Sequence, residues 1–211
     1  MLTHLKVHNN KVDLYLLDID KSSDVLLEMV SSKFSEEYKD HISKFKSEKR
    51  KREWLAARII LHTIYGENLD IGYTEQGKPF IKGKDISISI SHNKDTVAVA
   101  FSEYFKIGID IESSNGKLED ISNRLVREDE KEIANGMCIQ DKLLLLWTIK
   151  ESIYKCMNTP DANLLNIKVS EMQIADKVIT SKGKSINQQE DYITESYVKE
   201  NHTVSISRIS K

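Results

Sequence analysis

Between residues 86 and 112 the chain alternates apolar with small or polar residues three times. Ile86, Ile88 and Ile90 alternate with Ser87, Ser89 and Ser91; Val97, Val99 and Phe101 with Ala98 and Ala100; Ile107, Ile109 and Ile111 with Gly108, Asp110 and Glu112. A pleated strand imposes period two, because successive side chains point to opposite faces. The first two runs flank His92-Asn93-Lys94-Asp95, a turn-like tetrad, so a hairpin is predicted, followed by a third strand that ends before the Ser113-Ser114-Asn115-Gly116 loop. Val12 to Ile19 reads as a further buried strand. From Ser22 to Tyr65 the pattern changes period: Trp54, Ala57, Leu61 and Ile64 recur at three- and four-residue steps, which predicts a helix with one apolar stripe, ended by Gly66.

A second helical stretch is expected from about Asp120 to Met157, broken near Asn135-Gly136, and after Pro160 strands return at Lys177 to Thr180, Tyr192 to Val198 and Thr203 to Ile209. Each half thus runs strand, helices, then an antiparallel set ending in a serine-laced strand (ISISIS, VSISRI). The expected fold class is α+β, in two pseudo-symmetric lobes that each pack a small antiparallel-rich sheet with helices, residues 1–105 and 106–211. A length of 211 residues accommodates that division.

Composition narrows the function classes. The 31 Lys and Arg against 33 Asp and Glu leave a net charge of -2, which argues against an extended nucleic-acid surface. With 39% hydrophobic residues and only 2 Pro, the chain is expected to be an ordered globule. Cys138 and Cys156 have no CxxC spacing, so neither zinc nor a disulfide scaffold is implied. No apolar run reaches membrane-spanning length and the N-terminus lacks a signal pattern, so a cytoplasmic protein without membrane attachment is expected.

Four segments carry chemistry. On a strand, Asp110 and Glu112 of Ile107-Gly108-Ile109-Asp110-Ile111-Glu112 share one face about 7 Å apart, a spacing that suits Mg²⁺ with Gly108 leaving room; the plainer reading is an edge strand with a polar outer face. In Trp147-Thr148-Ile149-Lys150-Glu151-Ser152-Ile153-Tyr154-Lys155, residues Leu144, Trp147, Glu151 and Lys155 fall on one helical face, either a functional pair or an ordinary i,i+4 surface pair. The cluster Lys44, Lys46, Lys49, Arg50, Lys51, Arg52 and Arg58 is either a phosphate site, to which Lys78 of Gly77-Lys78-Pro79 adds a cation, or a solvated helix face. Ser91 and His92 point to opposite faces and so are no catalytic pair by adjacency; they can grip a phosphate or an adenine at the strand end, or simply cap a turn.

Taken in order, these blocks resemble the 4'-phosphopantetheinyl transferases of the surfactin-synthetase type, the two-lobed branch that modifies carrier proteins. The family pattern (V/I)GxD(I/V)E followed by W(S/T)xKEAxxK stands here as Ile107 to Glu112 and Trp147 to Lys155, with Ser152 at the usual alanine. Gly77-Lys78-Pro79-Phe80 and Ile88-Ser89-Ile90-Ser91-His92 also look like family blocks, with Asn93 where a serine is usual.

The resemblance implies the phosphopantetheinyl transferase fold and a monomer. It implies coenzyme A as donor, an apo acyl or peptidyl carrier protein as acceptor, transfer of the 4'-phosphopantetheine arm to a serine hydroxyl, and release of 3',5'-ADP. It implies Mg²⁺ on Asp110, Glu112 and Glu151, with Lys155 on the α-phosphate. Lys78, Ser91 and His92 match positions holding the coenzyme's phosphates and nucleotide; Arg52 matches an arginine at the 3'-phosphate, assisted by Lys49 and Arg50. A block R(F/L)(F/L)xxxE aligns on Arg124 and Glu130, making Glu130 the expected general base, with Glu128 as competitor. Two other readings use the same carboxylates: a Mg²⁺-dependent nuclease or phosphodiesterase, and a carrier-binding module without catalysis. The first lacks a basic excess, and the second has no physical need for three clustered carboxylates.

Overall fold

Backbone hydrogen bonds run the chain into two antiparallel sheets and a two-stranded ribbon, a mixed α+β architecture. The computed structural model describes residues 1–30, 32–113, 125–133, 136–157, 163–175, 178–199 and 202–210. Along the chain come β1 (Leu2–Val7), β2 (Val12–Asp18), α1 (Ser23–Glu28), α2 (Ser35–Ser43), α3 (Glu48–Tyr65), β3 (Ile71–Tyr73), β4 (Pro79–Ile81), β5 (Ser87–His92), β6 (Thr96–Ser102) and β7 (Ile107–Glu112). A 3-10 turn at Glu128–Glu130 precedes α4 (Ile139–Cys156), and β8 (Ile167–Ala175), β9 (Val178–Ser185), β10 (Glu190–Lys199) and β11 (His202–Ile209) follow. The first sheet has the order β1-β2-β6-β5, the second β7-β11-β10-β9-β8, and β3 pairs with β4. Among the described residues no helix is long and apolar enough to cross a membrane.

The predicted hairpin forms, with Ile90 opposite Val99 and Ser91 opposite Ala98. Asn93 Oδ1 accepts from the N–H groups of Asp95 and Thr96 and fixes its turn. Strand β6 is buried on both faces. Val97, Val99 and Phe101 pack with α3, while Ala98 and Ala100 meet Ile107, Ile109 and Ile111 of the second sheet. The Val/Ala alternation therefore sets layer spacing, since the small residues let one sheet lie on the other. Helix α3, capped by Ser47 Oγ and ended by Gly66 at φ 85°, is buried all round from Glu53 to His62, so the single apolar stripe expected of it widens to a full girdle.

The serines of β5 have a specific use. Ser87, Ser89 and Ser91 Oγ accept from the backbone N–H groups of Ile107, Ile109 and Ile111 at 3.2, 3.0 and 3.4 Å. These bonds satisfy the free edge of β7 and join the two sheets through side chains. On the other side of the second sheet, α4 lies against a floor of small residues. Thr148 meets Ser205 (2.8 Å), Ser152 meets Ser207 (2.6 Å), and Ser207 and Ser205 bond onward to Thr194 and Ser196. A Cβ on Gly108 would stand 2.0 Å from the Ser152 carbonyl oxygen and 2.5 Å from the Cys156 nitrogen.

Strands β1, β3, β4 and β8 lie outside the expected set. Residues Glu171, Met172 and Gln173 of β8 disguise it, and a register shift between Ser170 and Met172, with Glu171 at φ 48°, interrupts its alternation. The loop at Ser114 to Gly116, the helix start at Asp120, Arg124, Asn135, Pro160 and Lys177 lie outside the described residues.

Because the Gly108 clash is with helix backbone, no rotamer relieves it. Gly108→Ala is expected to cost about 3 kcal/mol, read as a lowered urea midpoint at unchanged m; an unchanged midpoint would mean that α4 is not seated on this glycine.

Candidate functional site

Strand β7 presents Asp110 and Glu112 on the face that α4 covers, and α4 brings Glu151 and Lys155 over them. The polar face of β7 is therefore no solvent face: Asp110 is 4% exposed. The Lys155 ammonium reaches across to Asp110 Oδ1 at 2.7 Å and Ser91 Oγ at 2.9 Å, and Ser91 Oγ also donates to Asp110 Oδ1 at 2.8 Å. Among the described residues it forms no ion pair along its own helix with Glu151, so the surface-pair reading of this helix face fails.

Electrostatics show how closely the acids are grouped. Burial first, then the Asp110 charge, pushes the Glu112 carboxyl up to about 7, with Glu151 adding to the rise and Lys155 and the Trp147 hydrogen bond opposing it. Glu151 is raised by burial and then by Asp110. Such mutual repulsion is what a bound cation relieves. Asp110 Oδ2 is buried and without a hydrogen-bond partner. Hard carboxylate oxygens with one orphaned lone-pair set fit Mg²⁺ by donor chemistry. The fit stops short of a preformed cage, because among the described residues no three such groups converge at ligating distance.

A cleft of about 630 Å³ adjoins this cluster. Gly77, Lys78, Pro79, Ser89, Ile90, Tyr104, Phe105, Tyr154 and Lys155 are among the residues that line it. Lys78 Nζ donates to the carbonyl of Met157 at the end of α4, and burial, then Lys106, lower its pKa. The volume suits a nucleotide-sized ligand.

Ser91 and His92 face opposite ways, as their adjacency on a strand requires. Ser91 joins the carboxylate cluster; His92 Nδ1 lies 3.0 Å from Glu53 Oε1 on α3, beside Lys49 (3.5 Å) and Arg50 (3.7 Å). Arg52 Nη1 donates to the Ile19 carbonyl at 2.8 Å. Two members of the basic cluster leave the phosphate reading: Arg58 is buried against the Trp54 ring with Asp70 at 3.2 Å, and Lys44 pairs with Asp40 at 2.8 Å.

Glu130, the expected base, stands apart from an exposed role. It is fully buried, with Lys150 Nζ at 2.7 Å, the Val169 N–H at 2.7 Å and the Arg127 N–H at 2.9 Å. Its oxygens tie the 3-10 turn to α4 and β8. Glu128 is largely exposed and pairs with Lys131. Sequence reasoning passed over Glu53 and assigned no role to Trp147, which bonds to Glu112, or to Tyr154, which lines the cleft. The only signal was placement: Glu53 is an acid inside a basic run, next to the tryptophan that opens the apolar stripe.

Comparison with known proteins bears on the same segments. Residues 106–206 match the sequence model of the 4'-phosphopantetheinyl transferase superfamily. Over 64 residues the chain is 38% identical to 4'-phosphopantetheinyl transferase AcpT of Salmonella typhi, and equally to that of Salmonella typhimurium. The aligned part is 30% of this chain and spans about a third, 33%, of those relatives' length.

The buried Lys150–Glu130 pair has a measurable signature. Lys150→Met leaves a carboxylate buried without its cation and is expected to cost about 3–5 kcal/mol in denaturant unfolding, with Lys150→Met/Glu130→Gln costing less. A double variant as unstable as the sum of the two single variants would contradict the pairing.

Proposed function

We propose that this protein transfers the 4'-phosphopantetheine arm of coenzyme A to a serine hydroxyl of an apo acyl or peptidyl carrier protein and releases 3',5'-ADP. The observation that carries the reading is the grouping of Asp110, Glu112, Glu151 and Lys155, the last of which also lines a nucleotide-sized cleft, within the segment that matches the superfamily. We read the chain as two lobes, 1–105 and 106–211, acting as a cytoplasmic monomer; sheet membership changes between β6 and β7, which supports the division. The likeness to the surfactin-synthetase branch belongs to the same proposal.

In this mechanism the cleft beside Lys78, Ser89 and Ile90 takes the nucleotide, and Lys49, Arg50, Arg52 and His92, which stand outside the cleft lining, are the cations assigned to its phosphates. Asp110, Glu112 and Glu151 would hold Mg²⁺, which when bound neutralises charge on the pyrophosphate. Lys155, now paired with Asp110, exchanges that partner for a phosphate oxygen and stabilises the negative charge that grows on the departing 3',5'-ADP. The carrier hydroxyl attacks the β-phosphorus and gives up its proton to solvent water, while the bond to the bridging oxygen breaks and that oxygen leaves on 3',5'-ADP. Glu130 is not offered as the acceptor of that proton, since its oxygens are spent on Lys150, Arg127 and Val169.

The direct test is to incubate the protein with coenzyme A, Mg²⁺ and a panel of apo carriers and weigh the carriers. A gain on the order of 340 Da at the acceptor serine is expected, and Lys155→Met is expected to lower turnover roughly 10²- to 10³-fold. Mg²⁺-dependent nicking of DNA or RNA without coenzyme A would replace this reading with the phosphodiesterase one.

The raised Glu112 carboxyl gives a pH test. Between the ordinary carboxylate range and about 7, the folded chain holds a proton that the unfolded chain has released, so in chelator this group's contribution to stability is lost as pH rises through that window. Metal binding requires the proton to leave. The rise in melting temperature on adding Mg²⁺ is therefore expected to be larger at about pH 8 than at about pH 5.5, and Glu112→Gln is expected to remove the difference.

A further inference from the structure

Glu53 stands in the basic turn of α3 with its side chain 6% exposed, and its Oε1 lies 3.0 Å from His92 Nδ1 at the end of β5. Lys49 Nζ and Arg50 Nη1 flank the same carboxylate at 3.5 and 3.7 Å. Burying an acid is costly unless its charge is used. Two exposed neighbours on the same helix would be served equally well by an acid at the surface. The arrangement makes sense if the buried partner is the imidazole.

We propose that Glu53 is the positioning residue for His92: it holds the proton on Nδ1 and thereby directs the Nε2 edge of the ring to a ligand phosphate. The identity of that ligand, the 3',5'-ADP end of coenzyme A, rests on the phosphopantetheinyl-transfer reading; the Glu53–His92 relation does not. Both Glu53 Oε1 and His92 Nδ1 are buried, and at 3.0 Å they make an ion-pair contact without completing an aligned hydrogen bond. The ring as a whole is 36% exposed, so the edge away from Glu53 is the one a ligand can reach. A carboxylate behind a histidine selects the tautomer, as second partners do for metal-bound and catalytic imidazoles.

The charges around the ring explain why such a partner is needed. Burial lowers the His92 pKa, Glu53 raises it, and Lys49 and Arg50 from α3 and Lys155 from α4 lower it again. Without Glu53, an imidazole among three cations would be neutral and its proton free to sit on either nitrogen. With Glu53, Nδ1 is the donor toward the protein; burial still holds the ring below its ordinary pKa in the free protein, and it is the charge of an arriving phosphate that favours a second proton on Nε2, which then donates a charge-assisted bond.

Two readouts test this. In the free protein, side-chain ¹⁵N NMR is expected to show His92 protonated on Nδ1, and Glu53→Gln is expected to lower its pKa and abolish the Nδ1 preference; the same tautomer and titration in both proteins would overturn the proposal. Calorimetric titration with 3',5'-ADP is expected to show roughly tenfold weaker binding for Glu53→Gln. In a His92→Ala background the same change should alter affinity less than twofold, whereas fully additive losses would show that Glu53 acts by itself and would also overturn it. If Glu53→Gln does not fold, Glu53→Asp, which keeps the charge but withdraws it by one methylene, is read by the same two measurements. If the unmodified protein fails to bind 3',5'-ADP, the ligand assignment falls while the NMR result still decides the role of Glu53.

Discussion

Everything at the carboxylate cluster depends on how closely α4 approaches β7. A hydrogen at the Cα of Gly108, where any other residue has a side chain, lets the Ser152 carbonyl and Cys156 N–H of α4 lie against the strand. One residue further along the strand's same face is Asp110, and one turn of the helix separates Glu151 from Lys155. With a side chain at position 108 the helix would have to rise, and the Lys155 to Asp110 contact of 2.7 Å would open. The glycine that looked like room for a ligand is in fact filled by the helix backbone, and the room for a ligand lies beside it, in the cleft toward Lys78.

That approach is purchased with small hydroxyl residues rather than with large apolar ones. Thr148 and Ser152 on α4 meet Ser205 and Ser207 on β11, which bond onward to Ser196 and Thr194 on β10. Each hydroxyl both donates and accepts, so a chain of them can be buried without an unsatisfied atom, at smaller volume than leucine would need. The β5 serines do a related job at the sheet junction, where their oxygens take the edge N–H groups of β7. Apolar packing supplies the bulk of the core on either side, through α3 over β6 and through Ile149 and Ile153 of α4 against Ile167, Val169 and Tyr192.

These facts mark what the sequence could reveal. Period-two alternation located β5, β6 and β7, because strand geometry writes itself locally, and the same pattern placed Asp110 and Glu112 together. It could not say that the serine face of β5 meets a second sheet, because that meeting joins residues twenty positions apart whose partners are backbone N–H groups with no sequence identity. The burial of Arg58 and Glu130 was hidden for a related reason. A charged residue in a charged run reads as exposed until its buried counter-ion is known, and Asp70 and Lys150 lie twelve and twenty positions away. Strand β8 was hidden by its own bulge.

The near-cancelling charge of the chain takes a particular spatial form. Asp110, Glu112 and Glu151 share the field of one cation, Lys155, which pairs with Asp110, and Lys49, Arg50 and His92 gather round one anion, Glu53. The two sets are joined by consecutive residues at the end of β5, since Ser91 belongs to the first and His92, pointing the other way, to the second. Each keystone charge makes its set tolerable in a folded, partly dry environment, at the cost of occupying the position a ligand of opposite sign would take. A ligand that brings phosphates to both sets at once would release Lys155 from Asp110 and leave three carboxylates without their cation. The acidic set would then need a divalent cation at the moment the phosphates arrive, so on electrostatic grounds metal and phosphorylated ligand should bind with positive coupling.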